Sequence, residues 1–162
     1  MVRDKSKFLI IFIIFIFSIC CDDKLVKNGV DILDNADMFT TVEEQILKNI
    51  LIDYEKESKN EIVVLTVVSL KGEDINEYAI KMHNKLKVGK LKYLNGILIV
   101  ISKEDRKIRI SIAKGLIDSL TNERSKNIIE NYTIPLFKKG KYFDGLVETI
   151  NQIKRYAKND WK

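Results

Sequence analysis

Asn95-Gly96-Ile97-Leu98-Ile99-Val100-Ile101-Ser102-Lys103-Glu104-Asp105-Arg106-Lys107-Ile108-Arg109-Ile110-Ser111-Ile112 carries two different apolar patterns on either side of one polar turn. Ile97 to Ile101 is an unbroken aliphatic run, which is how a strand covered on both faces reads. Ile108, Ile110 and Ile112 instead alternate with Lys107, Arg109 and Ser111, the pattern of a strand with one wet face. The polar residues Ser102 to Asp105 between the two predict a hairpin. A sheet with a doubly covered strand needs a layer on each side, and the flanking sequence offers helices for both.

Working upstream, Glu61 to Val68 is a second apolar, β-branched run, bounded by Lys59-Asn60 and Lys71-Gly72. Between the two runs, Ile75, Tyr78, Ala79, Met82 and Leu86 recur at helical spacing, and that helix should stop before Gly89. Further upstream, Thr40 and Thr41 stand three residues before Glu43 and Glu44, a capping-box spacing. Val42, Ile46, Ile50, Leu51 and Tyr54 follow, predicting a helix to about Ser58. Downstream, Thr121 can cap a helix carrying Ile128, Ile129 and Tyr132, which Pro135 should end because its ring removes a donor and restricts Ile134. A last helix takes Phe143, Leu146, Val147, Ile150, Ile153 and Ala157 as its stripe. The alternation predicts an α/β fold, a three-layer sandwich with a central sheet of about four strands flanked by helices. One domain should span residues 30–158, with a tail at 159–162.

The first 21 residues belong to a different story. Phe8 to Phe17 is solidly apolar, but shorter than the roughly 18 residues of a spanning helix, and it follows a short region in which Arg3, Lys5 and Lys7 outweigh Asp4. This predicts an export signal over residues 1–21 and a polar tether over 22–29. Ser18-Ile19-Cys20-Cys21 resembles the lipobox of bacterial lipoproteins, which implies lipidation at Cys20 or Cys21, a membrane anchor and a place at the bacterial cell envelope. A plain signal peptide or an uncleaved anchor is the alternative. The two cysteines are adjacent, so they cannot staple distant segments, and with the single His83 they make no Cys/His metal cluster. The chain has 28 Lys plus Arg and 23 Asp plus Glu; without Arg3, Lys5, Lys7 and Asp4 the net charge is +3, too mild to argue for nucleic acid.

Gly96-Ile97-Leu98-Ile99-Val100, Asp105-Arg106, Arg109-Ile110, Gly115-Leu116, Leu120, Ile134-Pro135-Leu136-Phe137-Lys138, Gly140, Tyr142 and Gly145 occur in an order that resembles the TPM domain family. Asp34-Asn35-Ala36, Ile62 to Val68 and Tyr78-Ala79 extend the resemblance over about residues 30–157. It implies the three-layer fold and an envelope-facing protein, acting either as an auxiliary or assembly module or as a metal-dependent phosphatase. It also implies acidic positions, and here this chain keeps Asp34 and Asp105, but has Leu94 where an Asp is usual and Asn122 where an acid is usual. Asp34, Asp105 and Asn122 are therefore the candidate metal residues, with Ca²⁺ as the candidate ion. Because a hard divalent ion wants six to eight oxygens with several carboxylates among them, the losses at 94 and 122 lead us to expect no cofactor. The plainer reading of the same residues is that Asp34 caps a loop and Asp105-Arg106 is a hairpin turn. No catalytic residue is assigned: there is no P-loop and no Cys-x5-Arg arrangement.

Three further features carry expectations. His83 borders an apolar stripe and reads as a half-buried polar residue. Lys81, Lys85, Lys87, Lys90 and Lys92, and then Lys138, Lys139 and Lys141, form basic stretches that read as solvated faces or, beside a membrane, as contacts for anionic headgroups worth about 1 kcal/mol per Lys. Trp161 lies in the polar tail. The expected partners are the membrane, through the anchor, and an envelope protein. Nucleic acid is not among them, since aromatic residues are sparse among the basic ones.

Overall fold

Side chains on successive strand residues point to opposite faces, so the two apolar runs feed two separate cores. A computed structural model describes residues 32–157. The strands are β1 (Ile32–Asp34), β2 (Glu61–Val67), β3 (Gly96–Ser102) and β4 (Lys107–Ile112), in the sheet order β1-β2-β3-β4. β1, β2 and β3 are parallel, and β4 closes the sheet antiparallel to β3, with Ile99 opposite Ile110. Ile62, Val64, Ile97, Ile99, Ile101 and Ile110 face one core; Leu33, Val63, Leu65, Val67, Leu98 and Val100 face the other. Every residue of β2 and β3 is buried, whereas β4 buries mainly Ile110 and Ser111. The expected four-stranded sandwich and its hairpin are thus present. β1 was not visible as a strand in the sequence.

Helix α1 (Thr41–Ser58) covers the first core, and α2 (Ile75–Lys85) covers the second alone. The Thr40 hydroxyl accepts from the Glu43 N–H while Glu43 accepts from the Thr40 N–H, so the capping box forms. The stripe of α1 is rotated from the one read in the sequence. Leu47, Leu51 and Tyr54 are buried, whereas Val42 and Ile46 at its first turns remain exposed. Because β1-α1-β2 and β2-α2-β3 step across the sheet in the same direction with helices on opposite faces, the two crossovers have opposite hands. One of them departs from the right-handed rule.

The first core is completed by α3 (Asn122–Ile128), a π-helical segment (Ile129–Thr133), α4 (Ile134–Phe137) and α5 (Tyr142–Tyr156). Here one expectation is overturned: Pro135 does not end the helical run. The chain widens into π geometry first, with the Ile134 N–H donating to Ile129 O, and Pro135 then sits at the start of a new helical turn, where its missing N–H costs nothing. The segment is pinned by Thr133, whose hydroxyl is 2.6 Å from that of Thr149 on α5. Gly96 is required for close approach, since a Cβ there would meet Val88 O at 2.2 Å. Asn95 accepts from the Lys90 N–H at 2.8 Å and donates to Lys59 O, so Asn95-Gly96 is the clasp that seats β3 between two loops. Val64, Leu98 and Ile110 are fully buried. Cys20, Cys21, Trp161 and the segments expected to be a signal and a tether lie outside the described residues. Among the described residues no helix is long and apolar enough to cross a membrane.

Candidate functional site

The carboxyl ends of β1, β2 and β3 lie at one end of the sheet, where the loops to α1 and α2 and the β3–β4 turn meet. Asp34 ends β1. Its Oδ2 accepts from the Met38 and Phe39 N–H groups at 2.8 and 2.9 Å, and its Oδ1 accepts from the Thr66 hydroxyl of β2. The Thr66 oxygen in turn accepts from the Ala36 N–H at 3.0 Å. Asp34 therefore shapes the loop into α1. Asp105 does the equivalent on the other side: its Oδ2 accepts from the Leu70 N–H at 2.7 Å and the Ser102 hydroxyl at 2.5 Å. These bonds, the one from Ser102 foremost, hold the Asp105 carboxyl below the usual carboxylate range. Leu70 belongs to the core under α2, so Asp105 ties the hairpin turn to the loop into α2.

Asn122 stands elsewhere. It opens α3 behind the Thr121 cap, and its Oδ1 accepts from Arg109 Nη2 at 3.1 Å, in the middle of edge strand β4. The structure thus brings Asp34 and Asp105 to one end of the sheet, each turned to its own loop, and leaves Asn122 with β4. Ca²⁺ wants six to eight oxygens around one point. Among the described residues no three His, Cys, Asp or Glu side chains are grouped for an ion, and this donor set does not fit one. Leu94 adopts φ 49°, a left-handed conformation that Asp and Asn tolerate better than Leu. An Asp at that place suits the backbone as well as it would suit a metal.

A lysine that the sequence reading passed over as part of the turn, Lys103, bridges the loops. Its Nζ donates to Ala36 O at 2.7 Å and to Asp37 O at 3.3 Å. Beside it opens a cavity of about 660 Å³, floored by Met38, Ile101, Ile108, Ile134 and Phe137 and edged by Tyr142 and by Lys103, Arg106, Lys107 and Lys138. A smaller depression continues from it over Asn35, Ala36, Asp37 and Glu104, sharing Lys103, Arg106 and Tyr142. Phe137 and Tyr142 meet edge to face, with ring centroids 5.2 Å apart. Gly145 makes room for them, because a Cβ there would lie 2.6 Å from the Phe137 ring. On the far side of the sheet His83 is half-buried, as expected; its Nδ1 lies 3.0 Å from the Ser111 hydroxyl. Burial holds its pKa below the usual value against backbone hydrogen bonds at Val88 and Ser111.

An α/β sandwich with one antiparallel edge strand, two aspartates stapling its βα loops and a cation-edged cavity beside them defines the class. The TPM domain model matches residues 32–156, and the chain belongs to the TPM domain family. Among solved structures, it is similar to the N-terminal domain of a P. gingivalis protein, with 24% identity and a TM-score of 0.71 over 78% of this chain and 80% of that one. It is similar to the BA42 protein of the psychrophilic bacterium Bizionia argentinensis, with 26% identity and a TM-score of 0.66 over 75% and 83%. The N-terminal domain of the cg2496 protein of Corynebacterium glutamicum shares the fold at 8% identity, with a TM-score of 0.62 over 88% of each chain. No curated protein matches the chain.

Proposed function

We propose that this TPM-domain protein is exported, tethered to the membrane of the bacterial cell envelope by a lipid on Cys20 or Cys21, and works there as a binding or assembly module for a partner, with no metal or other cofactor. One observation carries the choice of a binding module over a hydrolase. Ile134, Phe137, Gly140 and Tyr142 line the cavity and Gly145 seats the Phe137 ring, so the Ile-Pro-x-Phe, Gly-x-Tyr and later Gly elements of the family pattern build a concave surface. The retained acids, by contrast, hold neighbouring loops: Asp34 accepts through both of its oxygens and Asp105 through Oδ2. Phosphoryl hydrolysis needs a nucleophile or metal-bound water together with charge stabilisation, and among the described residues these carboxylates, each turned to its own loop, are not grouped around one point to hold an ion.

The tether is tested by changing Cys20→Ser and Cys21→Ser together and following the full chain through membrane fractionation. The expected result is release from the membrane fraction or stalled processing, because an acyl chain contributes about 0.8 kcal/mol per buried CH₂. Unchanged retention with unchanged processing refutes the anchor. The module reading is tested on the parent chain with a phosphomonoester and Ca²⁺. Hydrolysis that Asp105→Asn abolishes would establish the phosphatase in its place.

A further inference from the structure

We propose that the cavity between the β3–β4 turn and the α4–α5 corner is a binding site for an amphiphilic anion, an alkyl or acyl chain ending in a phosphate or carboxylate. The proposal deepens the binding-module reading by naming what is bound. Its volume, about 660 Å³, is that of a small-molecule site, commonly some 300–1,000 Å³ with an apolar lining and a few convergent polar groups. Here the charged groups share one sign. Lys103, Arg106, Lys107 and Lys138 edge the cavity, and no carboxylate lines it. Lys103 is fixed by the Ala36 and Asp37 carbonyls. Lys107 feels Asp74 and Asp105. Arg106 and Lys138 have no ion-pair partner among the described residues, so their charge is available to a ligand.

The site is also built to stay in place. Asp105 clamps the turn to Leu70, and Arg106, next to it, is held at φ 52°, an uncommon conformation for a residue with a side chain. Across the opening, Phe137 is wedged between Tyr142 and Gly145. A free anion would satisfy the cations and leave the aliphatic floor wet, while a neutral hydrocarbon would cover the floor and leave the cations unmatched. A molecule with one hydrocarbon end and one anionic end matches both. Membrane lipid and a free amphiphile share this chemistry.

The test uses the full chain in micelles of a neutral detergent, titrated calorimetrically with methyl phosphate, hexyl phosphate and hexanol against protein-free micelles. Affinity should rise from methyl to hexyl phosphate, by up to about fourfold per methylene that enters the floor. The double variant Arg106→Gln/Lys138→Gln should weaken hexyl phosphate about tenfold or more, the loss of one charge-assisted contact, and leave hexanol unchanged. Lys81→Gln/Lys92→Gln, which removes two cations from outside the cavity lining, should bind as the parent does. Both substituted pairs are exposed, and a cooperative melt at the parental temperature verifies their folding. Equal affinity for methyl and hexyl phosphate, parental binding by the cavity variant, or an equal loss in the control variant overturns the proposal. Repeating the titration in lipid nanodiscs separates the sources. Weaker hexyl phosphate binding in anionic than in zwitterionic discs supports a bilayer lipid as occupant, and equal binding in both supports a free amphiphile. The cysteine experiment bears on the tether alone, so the two readings fail separately.

Discussion

Replacing Asp34 by Ala and, separately, by Asn distinguishes a staple from a ligand. In the parent, Asp34 accepts from Met38 N–H, Phe39 N–H and the Thr66 hydroxyl. Alanine removes all three hydrogen bonds at once. The two backbone donors are part-buried and recover some hydration, so each costs about 0.5–1 kcal/mol, as at a helix cap. Thr66 is fully buried, and its hydroxyl, still accepting from Ala36, loses its own acceptor at about 1–3 kcal/mol. The expected loss is therefore about 3 kcal/mol, a large share of the roughly 5–15 kcal/mol that stabilises a domain. Asparagine keeps one oxygen for Met38 and Phe39, but its amide nitrogen only donates, so the Thr66 hydroxyl still loses its acceptor and the cost should be about 2 kcal/mol, less than that of alanine. Urea unfolding followed by far-ultraviolet circular dichroism reads both, provided the slope of the transition is unchanged. If Ala costs less than about 1 kcal/mol, or Asn costs as much as Ala, the staple reading is wrong.

Other consequences follow from single contacts. Gly145→Ala places a Cβ 2.6 Å from the Phe137 ring, and the forced shift should cost about 1–3 kcal/mol and change the near-ultraviolet signal of Tyr142, which packs on that ring. Leu94→Asp should raise stability by a few tenths to about 1 kcal/mol through its left-handed φ alone; a gain that appears only when Ca²⁺ is added would instead assign the position to a metal. His83 is held below its ordinary pKa of 6.5 by burial, so the unfolded chain binds more protons than the folded one between the two values. Its contribution to stability should be intact above pH 6.5 and fall as the pH drops through that window. His83→Gln, which keeps a partner for Ser111, should flatten this segment of the pH profile, and an unchanged profile would show that His83 does not titrate there.

The sheet interior was legible because its signal is local. Ile97 to Ile101 and Glu61 to Val68 announce doubly covered strands, and Ile108, Ile110 and Ile112 announce a half-covered one, from neighbours two residues apart. β1 escaped because three residues, Ile32 to Asp34, hold too few alternations to form a pattern. The stripe of α1 was misplaced because the sequence offers Val42 and Ile46 as readily as Leu47, and only the position of the helix over the sheet chooses among them. Pro135 misled because a π turn absorbs it, and π geometry has no recognised periodic mark. At the site, Asp34 and Asp105 were found as positions, but their roles depend on Thr66 and Leu70, partners 32 and 35 residues away. Thr66 did leave a trace, as the one polar side chain between Ile62 and Val68. Lys103 left none, since its acceptors are backbone oxygens 66 and 67 residues distant.

Any mechanical load passed along the chain from residues before Ile32 enters the fold through β1, an edge strand of three residues paired with Val64, Leu65 and Thr66 of β2. A pull on its amino end, opposed by something gripping the cavity at the carboxyl end of the sheet, acts along the strand axis. The ladder bonds run across that axis, so they are strained in shear and must yield together; a pull sideways would open them like a zipper, one at a time. At the far end Asp34 adds its bonds to Thr66, Met38 and Phe39, and behaves as the head of a bolt. The shortest strand is thereby placed to bear tension applied along its own axis.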